Sequence, residues 1–165
     1  MDHFASNIFA AVFFLTMVGC MMASTTQKGP AGEITGRVLS KSDVETMEDQ
    51  PIQVLVLAIP SAEFDSLLQD VDGPEEPTGD IFNVTGTVEQ KFTTYASGHD
   101  VSDEKGRYRI QVAGSGAHFL CLTGETEVPE EAAWSVAGCM KVNVAEGDTV
   151  EQDLYMQFGR LVSPR

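Results

Sequence analysis

Positive charge is what this chain has least of. Ten lysines and arginines stand against twenty-five aspartates and glutamates in 165 residues, a formal net charge of −15. A phosphate backbone is gripped by a basic stripe, so nucleic acid is excluded as a partner, and a solvated acidic surface is expected. Histidine is as scarce: His3, His99 and His118 sit in unrelated contexts, whereas metal-binding histidines come in spaced sets. No Gly-x-Ser-x-Gly, glycine-rich phosphate loop or His-Glu-x-x-His occurs, which removes the common hydrolase, nucleotide and zinc-protease signatures. Neither cofactor nor metal is expected, and the chain is expected not to be an enzyme.

Long apolar runs are also few, and the clearest lies at the extreme N-terminus, from Ile8 to Gly19. It is too short to span a bilayer comfortably and reads as the hydrophobic region of an export signal, although no Lys or Arg precedes it. The run ends in Leu15-Thr16-Met17-Val18-Gly19-Cys20, which resembles a bacterial lipobox. That resemblance implies cleavage before Cys20 and acylation of its side chain and new N-terminus, which would anchor the chain to a membrane. An ordinary cut near Met22-Ala23-Ser24 is the alternative. Residues 1–19 are thus assigned to a signal, 20–31 to a small, polar, glycine- and proline-punctuated tether, and 32–165 to one folded domain of ordinary size.

Within that domain no convincing period of 3.6 persists, and the pattern is strands separated by turns. Gly98 to Val112 is the most legible stretch. Asp103 can close an Asx turn, Gly106 can take a positive φ, and Tyr108, Ile110 and Val112 then share one face opposite Arg107, Arg109 and Gln111. Further strands are expected over Glu33–Leu39, Ile52–Ile59, Ala117–Thr123, Gly138–Val144 and Thr149–Phe158. The second of these is a nearly continuous aliphatic run suited to a strand buried on both faces. Ser61 to Ala96 is less legible: Ala62–Gln69 suits a helical turn or two, Asp70–Asp80 a loop, and Ile81–Ala96 one or two strands.

Cysteine is sparse, and with Cys20 given to the lipid or the signal, Cys121 and Cys139 remain as a pair in an exported chain. A disulfide is expected between them, with two buried free thiols as the alternative. The acidic run around Asp70 and Asp72 has oxygen ligands that calcium favours, but its spacing departs from a calcium loop and prolines stiffen it, so it reads as a solvated loop. His99 and Asp100 beside Asp103 and Glu104 read as turn formers on a wet edge. Trp134, the sole tryptophan, is placed in the loop between the two cysteines, either packed there or serving recognition. Asp70, Asp72 and Trp134 are therefore the candidate binding-loop residues.

Three stretches together carry a family resemblance: Gly32-Glu-Ile-Thr-Gly-Arg-Val-Leu39, Pro51-Ile-Gln-Val-Leu-Val-Leu57 and Ser102-Asp-Glu-Lys-Gly-Arg-Tyr-Arg-Ile110. The domain resembles the carboxypeptidase regulatory-like group of transthyretin-like β-sandwiches. The resemblance implies an all-β, Greek-key sandwich of about seven strands, here with a long loop insertion at Ser61–Ala96, in a family of accessory, adhesive or spacer modules. Its hydrolytic relatives end in Tyr-Arg-Gly-Ser, and this chain does not; Lys41 and Asn143 make a poor isopeptide pair because both look solvent-side. The expected function is a non-catalytic module of the bacterial cell envelope, lipid-anchored, with an unknown protein or carbohydrate partner. A small-molecule hydrolase on the same fold and a calcium-dependent binding protein are the alternatives.

Overall fold

The structure, a computed structural model, describes residues 32–42, 48–71, 77–130 and 133–163. The residues expected to form a signal and a tether, Cys20 among them, and Asp72 lie outside the described residues. Twelve strands, one α-helix and a short 3-10 helix (Phe92–Thr94) are present among them: β1 (Gly32–Ser40), β2 (Gln50–Pro51), β3 (Leu55–Pro60), α1 (Ser61–Asp70), β4 (Ile81–Phe82), β5 (Gly86–Val88), β6 (Gly98–Val101), β7 (Arg107–Val112), β8 (Gly116–Thr123), β9 (Trp134–Val144), β10 (Thr149–Glu151), β11 (Leu154–Gln157) and β12 (Arg160–Val162). The fold is an all-β sandwich. In the first sheet β1 has β7 and β2 on one side, antiparallel, and β10 and β11 on the other, parallel, with β12 outermost. The second sheet runs β4/β5, β9, β8, β3, β6.

Alternation decides which residues meet between the sheets. In β7, Tyr108, Ile110 and Val112 are buried and Arg107, Arg109 and Gln111 exposed, as the sequence predicts. They join Ile34 and Val38 of β1 and Leu154 of β11 against Val56, Ala58, Leu120, Leu122, Met140 and Val142 of the second sheet. The intervening residues of β3, β8 and β9 point the other way, into a second core. Leu55, Leu57, Ile59, Phe119, Cys121, Val136 and Cys139 lie there beneath Phe64 and Leu67 of α1 and Val84, Val88, Phe92 and Tyr95. The aliphatic run of β3 is therefore continuous because both its faces are covered.

The Ser61–Ala96 insertion is this cover. Phe64 stacks on Phe119 with ring centroids 3.7 Å apart and meets Phe82 edge-on at 5.5 Å, while β4 and β5 extend the sheet by pairing with β9. Burying one such aromatic contributes about 1.5–3 kcal/mol, which is how a ten-residue helix with no side-chain cap holds its place.

Three boundaries differ from the sequence expectation. The second strand begins at Leu55, because Ile52 and Val54 bond instead to the buried Ser102 hydroxyl, which donates to Ile52 O and accepts from Val54 N. The strand expected from Gly138 reaches back to Trp134, across a bulge opposite Leu122 and Thr123. The strand expected over Thr149–Phe158 is split at Gln152 and Asp153 and followed by the return strand β12, which the sequence pattern did not reveal.

Cys121 and Cys139 are directly opposed on β8 and β9 and joined by a disulfide, with Cα atoms 4.0 Å apart. The expected pair is thus formed, and it lies wholly within the second core. The bridged residues are 18 apart in sequence, for which loop closure in the unfolded chain is worth about 3 kcal/mol. The double variant Cys121→Ala/Cys139→Ala is expected to unfold in urea with at least this loss of stability; an unchanged midpoint would show that the bridge constrains nothing.

Candidate functional site

The insertion covers the outer face of the second sheet around Phe119, Cys121, Cys139 and Trp134, leaving Lys141 and Asn143 of β9 exposed beyond it, and the outer face of the first sheet carries a row of exposed polar groups. β1 turns Glu33, Thr35 and Arg37 outward, and β7 turns out Arg107, Arg109 and Gln111; the register sets Arg37 opposite Arg107 and Thr35 opposite Arg109. Like charges directly opposed across a ladder destabilise it, and here each guanidinium has a carboxylate. Arg37 Nη2 lies 2.6 Å from Asp153 Oδ2, Arg107 Nη2 2.8 Å from Asp103 Oδ2, and Arg109 Nε 3.7 Å from Glu33 Oε2. Between them lies an open cleft of about 620 Å³ whose walls include Arg37, Arg107, Arg109, Asp100, Glu151 and Asp153.

Local sequence explains why these groups stand where they do. Asp103 Oδ1 accepts from the backbone N–H of Lys105 and of Arg107, both at 2.9 Å, and its Oδ2 accepts from Arg107 Nε at 2.9 Å. Gly106 has φ 73° and donates to Asp103 O at 2.7 Å, and a Cβ there would collide with Val38 O. The expected Asx turn and positive φ are both present, and together they deliver Arg107 to the start of β7. On the far side of β1, the break between β10 and β11 lets the Asp153 side chain accept from Arg37 N at 2.8 Å, where a strand carbonyl would otherwise sit. Gln152 bonds through its N–H to Thr35 O at 2.8 Å and through its carbonyl to the Tyr108 hydroxyl at 2.5 Å. Gly36 is required beneath this crossing, since any Cβ would meet Gln152 O.

These contacts shift the ionisation of their members. The Asp103 carboxyl is held below the ordinary carboxylate range, first by the Arg107 side chain and then by its backbone N–H. Arg37 is raised above its ordinary value by its bond to Asp153. Burial, and secondarily the nearby Asp153 charge, pushes the Tyr108 phenol up, so this hydroxyl stays protonated as a donor.

The residues singled out from sequence lie elsewhere. Asp70 closes α1 and accepts from the Tyr95 hydroxyl, whose pKa burial and this bond push up to about 12. Trp134 is not in a loop: it opens β9 at 2 % exposure, with Nε1 donating to Gln90 O at 2.6 Å. It therefore pins the insertion to the sheet and offers no surface to a ligand. His99 is exposed and packs edge-on against Phe92; His118 is buried in β8 with Nδ1 3.2 Å from Gly116 O. Asp100, read as a turn former, accepts from Arg109 N at 2.7 Å and so couples β6 to β7. Lys41 donates to Ser163 O and Asn143 is exposed on β9 in the other sheet. Arg37, Arg109 and Asp153 were not anticipated as a group; the available signal was that three of only ten basic residues fall on outward positions of two expected strands.

No protein-family model matches the chain, and no curated protein matches it. Two solved structures are similar to it at low identity. One is a candidate carbohydrate-binding protein from Pseudomonas aeruginosa, at 15 % identity over 80 % of this chain and 92 % of that one, with a TM-score of 0.45. The other is a 9R-lipoxygenase from Cyanothece, at 12 % identity over 81 % of this chain and 17 % of that one, with a TM-score of 0.39.

The shift at Asp103 has a defined pH consequence. A carboxyl whose folded pKa is depressed contributes stability above its unfolded value of about 3.9, and that contribution is lost as pH falls through the lower folded value. Thermal unfolding followed from neutral pH down to pH ~2 should therefore show a melting temperature that falls less steeply below the carboxylate range for Asp103→Asn than for the native chain. Parallel curves would show that the turn does not depend on the charge.

Proposed function

We propose that this domain is a non-catalytic binding module of the bacterial cell envelope, transthyretin-like in its strand order, exported and held to the membrane through lipid on Cys20. Its ligand site is the arginine cleft, in place of the Asp70 and Trp134 region that the sequence favoured. The observation that carries this reading is the set of three guanidinium–carboxylate pairs displayed on the outer face of the first sheet. The internal disulfide supports an oxidising compartment. The separate placements of His99 and His118, each away from the cleft, support binding without chemistry.

The ligand class follows from charge. The pairs are already neutralised, and the chain carries a net −15, so an anion is repelled at long range. Vicinal hydroxyls both donate and accept, and alternating guanidinium N–H groups and carboxylate oxygens answer them; the partner of best fit is a neutral carbohydrate.

Titration calorimetry with a panel of neutral oligosaccharides is the test, using Arg109→Ala as the probe variant because this side chain is exposed and its ion pair is long. A hydrogen bond to a charged group is worth about 1.5–3 kcal/mol, so the variant should bind at least about tenfold more weakly with unchanged melting. Absence of binding at millimolar sugar removes the ligand class. Mass spectrometry of the protein from its native host tests the anchor, and an unmodified N-terminus near Ser24 would refute lipidation while leaving the cleft unaffected.

A further inference from the structure

The outward side chains of β7, β1 and β10 stand in rows set by two registers. On one side β1 pairs Glu33 with Gln111, Thr35 with Arg109 and Arg37 with Arg107. On the other it pairs Glu33 with Thr149 and Thr35 with Glu151, and the break after β10 places Asp153 beside Arg37. The two flanking rows spend their hydrogen bonds within the protein: Gln111 Nε2 donates to Glu33 Oε2, and Arg37 and Arg107 donate to Asp153 and Asp103. The middle row, Arg109–Thr35–Glu151, does not. Arg109 keeps only its long pair with Glu33, 3.7 Å away. Among the described residues the Thr35 hydroxyl and the Glu151 carboxylate make no hydrogen bond or ion pair, and Glu151 acts on Arg37 only through space. All three members of this row line the arginine cleft.

The row has a polarity. Arg109 offers only donors, Glu151 only acceptors, and Thr35 both. Strands about 4.8 Å apart set the backbones of Arg109 and Glu151 about 9.5 Å from one another. A ligand lying across the strands must therefore bring acceptors to β7 and donors to β10.

Charge decides which donor. The cleft is lined by three guanidiniums and by four carboxylates, Asp100, Asp103, Glu151 and Asp153. Asp103 and Asp153 face guanidiniums, and Asp100 accepts from Arg109 N, so Glu151 is the carboxylate in excess. A hydroxyl would donate to it, whereas an ammonium would both donate and cancel its charge. A chain of net −15 also draws a cation toward itself. At about 0.15 M salt the Debye length is about 8 Å, so the Arg109 charge across the row is screened from that cation.

We infer that the carbohydrate of the arginine cleft is an amino sugar, lying across β7, β1 and β10 with its protonated amine on Glu151 and its oxygens on Thr35 and Arg109. The inference rests on the carbohydrate reading of this cleft, and adds one positive charge to a ligand otherwise held through its hydroxyls.

Titration calorimetry at pH 6 and about 0.15 M salt tests it with a glucosamine disaccharide, its amines free and protonated, against the same disaccharide N-acetylated. An exposed ion pair contributes little, so the wild type should prefer the free amine by about three- to fivefold. Glu151→Gln should bind the two forms equally. Glu146→Gln removes the same charge from an exposed turn outside the cleft, and should keep the preference. Equal binding of the two forms by the wild type, or tighter binding of the N-acetylated one, overturns the inference and leaves the carbohydrate reading standing. A preference that survives Glu151→Gln, or that Glu146→Gln also abolishes, overturns it as well. Binding of neither disaccharide at millimolar concentration overturns the carbohydrate reading and this inference with it.

Discussion

Everything in this molecule depends on the second sheet being buried on both faces. A strand such as β3, aliphatic at successive positions, cannot present one side to water, so the sandwich interior covers Val56 and Ala58 and something else must cover Leu55, Leu57 and Ile59. The insertion supplies that second cover with one helix, two short strands and a cluster of aromatic rings. The disulfide and Trp134 sit in the same layer, tying β8 to β9 and the insertion to β9. Among the described residues, the outer face of the first sheet has no such cover, and the exposed Arg37, Arg107 and Arg109 are found there.

The same economy governs the open face. Two arginines opposed across β1 and β7 would repel one another, and each is relieved by a carboxylate brought in from a break in regular structure: Asp103 from the turn before β7, Asp153 from the interruption between β10 and β11. These breaks cost ladder hydrogen bonds but return them through side chains, since Asp153 accepts from Arg37 N and Asp103 from Arg107 N. Irregular backbone is therefore part of the cleft's construction, and Gly36 and Gly106 are where the chain passes too close for any side chain.

How much of this could be read beforehand depended on the range of the interaction. The Asp103–Gly106–Arg107 turn and the alternation of β7 were legible because all their parts lie within ten residues. The pairing of Cys121 with Cys139 was legible because, once Cys20 is set aside, two cysteines leave one arrangement. What was not legible was contact at long separation. Trp134 read as a loop residue because its partner, Gln90 O, is 44 residues away, and Ser61–Ala96 read as an irregular excursion because its apolar residues answer a sheet face that sequence alone does not reveal. Arg37 and Arg109 read as ordinary solvent-facing residues; only the register of β1 against β7 makes them a group.

The antiparallel pairing of β1 with β7 has a mechanical side. The described chain begins at Gly32, which pairs with Val112, and the register then runs without interruption to Arg37 opposite Arg107. A ligand held on the outward side chains of β7 and a pull transmitted through the start of β1 would act on adjacent strands of one ladder. Its hydrogen bonds lie across the direction of pull, so they would be loaded in shear and share the force, in contrast to a hairpin opened one bond at a time. A pull between the start of β1 and the outward face of β7 would then be carried by one strand pair whose inward residues, Ile34, Tyr108 and Ile110, are seated in the first core.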